Sequence, residues 1–289
     1  MSNTATVEPL PRSFGAVVTG IDLRELDDSS AAWLREVFHE FALLVLPAQH
    51  LTPDEQNDVA RHFGELEFAA APITNVRRDG SVLSDPDHDT VKSLRGNEGW
   101  HHDSTYMPVQ ALGAVFSAEI VPPSGSSTGF ADMRAGYDAL DDALQSQLAG
   151  LSAHHSLYYS MGRADPLPTR QDDGSYALYG YHDHEVSVRP LVKHHPATGR
   201  PNVVAGRHAH DIVGMDASDS ERFLDTLNER LVSDPNHVHH HEWTVGDTVI
   251  WDNRRLMHCA VPFDMTEPRR MWHTRIAGDP LTESALNHR

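Results

Sequence analysis

The chain has 289 residues, 39% hydrophobic and 22% charged, enough apolar material for a buried core and unlike a disordered or fibrous protein. Its 42 Asp and Glu against 23 Lys and Arg give a formal charge of −19, the wrong sign for a protein that grips nucleic acid through phosphates. No apolar run approaches the ~20 residues that span a bilayer, the first residues lack a signal-peptide pattern, and a lone cysteine, Cys259, excludes disulfide frameworks and multi-thiolate metal sites. A cytoplasmic chain with neither membrane nor nucleic-acid partner is expected, and any metal must be held by His, Asp and Glu.

In chain order, Leu34, Val37, Phe38 and Phe41 fall at helical spacing over 30–41, followed by a buried strand at 43–46 ending at Pro47. Thr52, Pro53 and Glu55 supply an N-cap, a first-turn proline and a capping-box acid for a helix running to about Gly64. The stretch 73–99 is turn-rich and polar and reads as a loop insertion, as does 162–176. Residues 113–121 read as a strand, 137–151 as a helix with Leu140, Leu144, Leu148 and Leu151 on one face, and 189–205 as a hairpin turning at Pro196 to Gly199. A helix over 218–231 and short strands at 238–243, 248–252 and 271–277 complete the chain. Strands dominate the middle and end, which predicts a mainly β sandwich or jelly roll decorated with helices.

Twenty-one histidines make spacing the criterion for a site. In Trp100-His101-His102-Asp103, extended backbone puts residues i and i+2 on one side, so His101 and Asp103 can face one ion while His102 faces away. A third ligand is expected from His258, just beyond the strand at 248–252. Two His and a carboxylate with open positions opposite are the ligand set of non-haem Fe(II) oxygenases. A bare His-x-Asp also fits a surface ion pair, with His258 as a core histidine.

The surrounding residues narrow this choice. Residues 15–23, Trp100-His101-His102-Asp103, Pro122-Pro123 leading to Thr128, and 243–254 running on to His258 and Arg269 occur in an order that closely resembles the taurine dioxygenase and chlorophenoxyacetate dioxygenase family. The likeness spans about residues 10–280. Residues 100–108, Phe130-Ala131-Asp132-Met133-Arg134 and 206–210 look most similar to its aryloxyalkanoate dioxygenase branch.

The resemblance implies one domain over 1–289 with a double-stranded β-helix of cupin type, using Fe(II), 2-oxoglutarate and O₂. It implies His101, Asp103 and His258 as iron ligands, with Thr128 and Arg269 holding the far carboxylate of 2-oxoglutarate. Arg269 lies eleven residues after His258, as the family pattern asks, with Arg270 as the competing register. Where some members carry a second arginine, this chain has His273, then Arg275. An aspartate at the carboxylate position points to hydroxylation, since halogenating relatives have a small residue there.

Asn97, Arg207, His208 and Arg275 are the candidates for the substrate, because a buried carboxylate needs a cationic partner. Asn97 reads equally as a turn residue, and Arg207 and His208 equally as surface residues. The tract His237 to His241 and Cys259 read as structural, and Asp252 and Asn253 as fixing the turn before His258. The expected activity is hydroxylation of a small carboxylate such as an aryloxyalkanoate, by a homo-oligomer. A sulfonate or alkyl sulfate dioxygenase, or a cupin-like metal module without oxygenase activity, are the alternatives; Thr128 with Arg269 separates the last, since a hydrolase needs no ketoacid anchor.

Overall fold

The computed structural model describes residues 5–162 and 179–288, so the loop expected at 162–176 lies, apart from Gly162, outside the described residues. Seven strands form the main sheet: β1 (Thr6–Pro9), β2 (Ala16–Thr19), β3 (Leu43–Leu46), β4 (Leu66–Thr74), β5 (Gly113–Ile120), β13 (Thr248–Asp252) and β15 (Arg270–Ile276), in the order β1-β2-β3-β13-β5-β15-β4. Only β2 and β3 run parallel. A second sheet has the order β12 (Val238–His241), β6 (Thr128–Asp132), β14 (Leu256–Ala260). A third joins β11 (Ala209–Ile212), β7 (Ser152–His155) and β8 (Ser187–Pro190), and β9 (Val192–His194) pairs with β10 (Pro201–Val203) as the expected hairpin.

Side chains alternating across the main strands build two cores. On β13, Val249 and Trp251 face the second sheet, where they meet Phe130 and Leu256, while Ile250 faces the other way. On β5, Ala114, Phe116 and Ala118 join the first core and Val115 the second. The second core is closed by Leu34 and Phe38 of α1 (Asp28–Phe41) and Val59 of α2 (Pro53–Arg61). The capping box expected for α2 forms between Thr52 and Glu55. A third cluster packs α7 (Ala217–Leu231), through Leu224, Leu227 and Leu231, against Met133, Leu148 and Leu191.

Two sequence expectations need correction. The helix read over 137–151 is two short helices, α4 (Met133–Asp138) and α5 (Asp142–Leu148), because Asp141 leaves the helical path to cap the second, accepting from Leu144 N–H at 2.9 Å. The stretch 73–99 is no plain loop: it begins within β4 and carries α3 (Asp89–Gly96), whose N-cap is the His88 imidazole, an acceptor that capping patterns do not anticipate. Among the described residues two further short helices are α6 (Leu157–Gly162), which follows β7, and α8 (Pro280–Glu283), near the end of the chain. No helix among the described residues is long and apolar enough to cross a membrane.

Candidate active site

The site starts from a strand pairing. His258 is the middle residue of β14, and the segment carrying His101 runs antiparallel beside it: His101 N–H donates to His258 O at 2.9 Å and His258 N–H to His101 O at 2.8 Å. The two rings therefore stand 4.2 Å apart. Past His101 the chain turns, with Ser104 at φ 56°, and Asn253 clamps the backbone of Asp103 by accepting from its N–H at 2.7 Å and donating to its carbonyl at 2.9 Å. His102 faces away, its Nδ1 hydrogen-bonded to Asn253 O.

His101, Asp103 and His258 thereby each bring one ligand-type atom within 4.8 Å of the others. His101 Nδ1 lies 2.7 Å from Gly99 O. A carbonyl can only accept, so Nδ1 carries the proton and Nε2 offers a lone pair. Burial lowers the His101 pKa to about 4 and that of His258 well below the usual imidazole value, keeping both rings neutral and able to ligate. Burial would raise the Asp103 pKa, but the Arg275 guanidinium beside it holds it well below the usual carboxylate range. The donor set of two neutral imidazoles and one carboxylate suits a divalent first-row metal, and Asp103 Oδ2, 3.7 Å from His258 Nε2, is a buried polar atom with no hydrogen-bond partner.

Two cavities meet at the triad, both lined by Asn97, His101, Asp103, His273 and Arg275. The inner one, about 80 Å³, ends at Thr128 and Arg269. Arg269 is 6% exposed, has no acid paired with it among the described residues and leaves Nε unbonded; its charge lies over the Phe263 ring at 5.7 Å, and burial alone lowers its pKa to about 10. Thr128 Oγ1 accepts from Trp243 Nε1 at 3.0 Å, which leaves its proton free to donate. Arg270 instead bonds Glu119 at 2.9 Å outside the cavity, so the structure brings Arg269 and not Arg270 to the triad.

The outer cavity, about 490 Å³, is walled by Phe68, Leu94, Tyr106, Leu157, Met161 and Tyr181. Arg207 lines it, held by its backbone N–H to Trp100 O at 2.8 Å; the one hydrogen bond of its guanidinium among the described residues is to Met161 Sδ, at 3.2 Å, and burial lowers its pKa. His208 also lines this cavity. It is no cation: burial holds its pKa well below the usual value, and Nδ1 is engaged with Ser160 Oγ at 2.8 Å. Asn97 caps α3 and lines both cavities, while its carbonyl accepts from Ala260 N–H at 2.8 Å. The expectation for Arg275 needs correction. Its Nη2 donates to Asp103 Oδ1 at 2.7 Å and its Nη1 to Ser104 Oγ at 3.0 Å, because β15 aims it at the triad, so its charge is already matched.

Sequence reading missed the residues that hold this arrangement. Asn253, expected to fix a turn, also clamps Asp103. Ser104 and Glu67, bonded to each other at 2.8 Å, and the aromatic wall carry no motif that marks them. In the histidine tract His241 lies 3.3 Å from Asp247 and His240 packs on Trp100, and the triad is the one group among the described residues with metal-ligand geometry.

The family model for "Taurine catabolism dioxygenase TauD, TfdA family" matches residues 6–276. The chain belongs to this family. It is 53% identical to the (S)-phenoxypropionate/alpha-ketoglutarate-dioxygenase of Sphingobium herbicidovorans, over 100% of both chains. It is 33% identical to the alpha-ketoglutarate-dependent 2,4-dichlorophenoxyacetate dioxygenase of Cupriavidus pinatubonensis, over 93% of this chain and 96% of that one. The crystal structure of AAD-2 in complex with Mn(II) and N-oxalylglycine superposes with a TM-score of 0.87 at 33% identity, covering 98% of this chain and 99% of the other.

Proposed function

We propose that this chain is an Fe(II)- and 2-oxoglutarate-dependent dioxygenase that hydroxylates an aryloxyalkanoate at the carbon between ether oxygen and carboxylate. The observation that carries the reading is a pair of cations on either side of the triad with no acid paired to them among the described residues: Arg269 in the inner cavity and Arg207 in the outer one. A guanidinium buried, like Arg269, or half-buried, like Arg207, calls for an anion, and a planar fork matches a carboxylate with two charge-assisted hydrogen bonds. Two carboxylates are what the chemistry brings, one on the ketoacid and one on the substrate. The relatives that act on phenoxypropionate and dichlorophenoxyacetate support the class.

His101, Asp103 and His258 are the proposed iron ligands, and the unpartnered Asp103 Oδ2 and the neutral rings fit that role. When bound, Fe(II) supplies the oxidising chemistry with O₂, while 2-oxoglutarate is consumed to succinate and CO₂. The chain supplies position and dryness. Arg269 and Thr128 fix the far carboxylate of 2-oxoglutarate, and Arg207 anchors the substrate carboxylate so that its ring lies among Phe68, Tyr106 and Tyr181. Asp103 fills the carboxylate position that a halide would need, which favours hydroxylation. One oxygen atom of O₂ enters succinate and the other the substrate carbon. The product is a hemiacetal or hemiketal, whose C–O bond to the ring breaks to release a phenol and an oxoacid.

The proposed fold is a double-stranded β-helix, supported by the main sheet meeting β12-β6-β14 across Phe130 and Trp251. The reading includes a single domain, a cytoplasmic location and assembly with further copies of the chain, which light scattering and fractionation test. Substrate class is tested by assaying phenol and succinate together on aryloxyalkanoates, sulfonates and sulfate esters. Equal amounts of both products from the aryloxyalkanoates are expected. Turnover of sulfonates or sulfate esters with no phenol from any aryloxyalkanoate would reject the substrate class and leave the reaction class standing.

A further inference from the structure

We propose that Arg275 is a positioning residue that reserves one oxygen of Asp103 and leaves the other as the single carboxylate atom offered to a metal. This rests on the iron-site reading above and goes beyond it, since it concerns how the ligand is presented. An arginine fork beside a carboxylate ordinarily engages both oxygens side-on. Here it does not. Nη2 bonds Asp103 Oδ1 at 2.7 Å, whereas Nη1 is drawn off to Ser104 Oγ at 3.0 Å.

Ser104 is itself held, because its hydroxyl donates to Glu67 Oε1 at 2.8 Å, and Glu67 also accepts from Tyr179 OH. The guanidinium lies over the Phe68 and Tyr179 rings, 4.7 and 5.4 Å from their centroids, and the bond to Ser104 Oγ is what keeps Nη1 away from Oδ2. The other candidate donor is His273, whose Nε2 stands 3.5 Å from Oδ2 without making a hydrogen bond while its ring stacks on Trp251 at 16°. Asp103 Oδ2 is therefore buried, unpartnered and 3.7 Å from His258 Nε2. A carboxylate that ligates through one oxygen leaves one more coordination position for cosubstrates than one that chelates through both.

Two substitutions move metal affinity in opposite directions on this account. Arg275→Met frees Oδ1, so Asp103 can chelate: Mn(II) affinity, measured calorimetrically, should hold or rise, while kcat falls about 10–100-fold with both KM values little changed. The Co(II) form with N-oxalylglycine should show weaker visible absorption than wild type, as a more fully coordinated ion does. Ser104→Ala releases Nη1 to compete for Oδ2, so Mn(II) affinity should drop about tenfold. This second variant removes one hydroxyl and carries the test if Arg275→Met fails to fold. Loss of Mn(II) affinity in a folded Arg275→Met in step with its activity, or wild-type affinity in Ser104→Ala, would overturn the proposal. Equal Mn(II) binding by wild type and Asp103→Ala would overturn the iron-site reading as well, which separates the two failures.

Discussion

His101 and His258 exchange both of their main-chain hydrogen bonds, so two of the three proposed ligands are placed by strand pairing and not by their own side chains. The consequence is a division of labour between backbone and ring. His101→Ala and His258→Ala should keep the pairing and unfold within a few degrees of the metal-free wild type, yet lose metal-dependent stabilisation. Thermal scans with and without Mn(II) check this; a variant that is unfolded without metal would show that the rings hold the strands together.

The third ligand depends on a different device. Asn253 is fully buried and satisfies both the N–H and the C=O of Asp103, so Asn253→Ala leaves two buried backbone groups unpaired. Each orphaned group costs about 1–3 kcal/mol, and the loss should appear in chemical denaturation together with weaker Mn(II) binding. Denaturation midpoints and metal affinity both unchanged would show that water replaces the clamp.

Arg269 and Arg270 should behave oppositely although they are neighbours. Arg269→Ala removes a charged pair to the ketoacid worth about 1.5–3 kcal/mol, which should raise the KM for 2-oxoglutarate more than tenfold with metal binding retained. Arg270→Ala breaks a partly exposed pair with Glu119 and should change that KM little. The reverse pattern in steady-state kinetics would place the anchor on the other residue.

Arg207→Met keeps side-chain bulk beside Met161 and removes the charge from the outer cavity. Substrate KM should rise by a similar factor to that in Arg269→Ala, while KM for 2-oxoglutarate stays near its wild-type value. Wild-type phenol release from subsaturating substrate would exclude Arg207 as the anchor.

Much of this was legible before any coordinates. The strand at 43–46, the strand at 248–252 and the α2 capping box follow from apolar runs and cap chemistry that act over a few residues. The convergence of His101, Asp103 and His258, with Arg269 in the adjoining cavity, was legible because His-x-Asp, a later His and an arginine at fixed spacing leave a linear trace. What sequence could not give are relations with no linear trace. Ser104 meets Glu67 and Asn253 meets Asp103 only after distant segments pair, and Arg275 turns to Asp103 instead of substrate because it shares β15 with His273 beside the triad. The break between α4 and α5 was hidden for the opposite reason, since leucines at helical spacing continue past Asp141 although it caps the second helix.

The most direct test of the central claim is an anaerobic titration of the protein with Fe(II) and 2-oxoglutarate, followed in the visible range. Bidentate ketoacid bound to ferrous iron gives a weak charge-transfer band, so wild type should develop it with one equivalent of each, Arg269→Ala should require more 2-oxoglutarate, and His101→Ala and Asp103→Ala should lack it. No band in wild type, or an unchanged band in both triad variants, would contradict the assignment of this site.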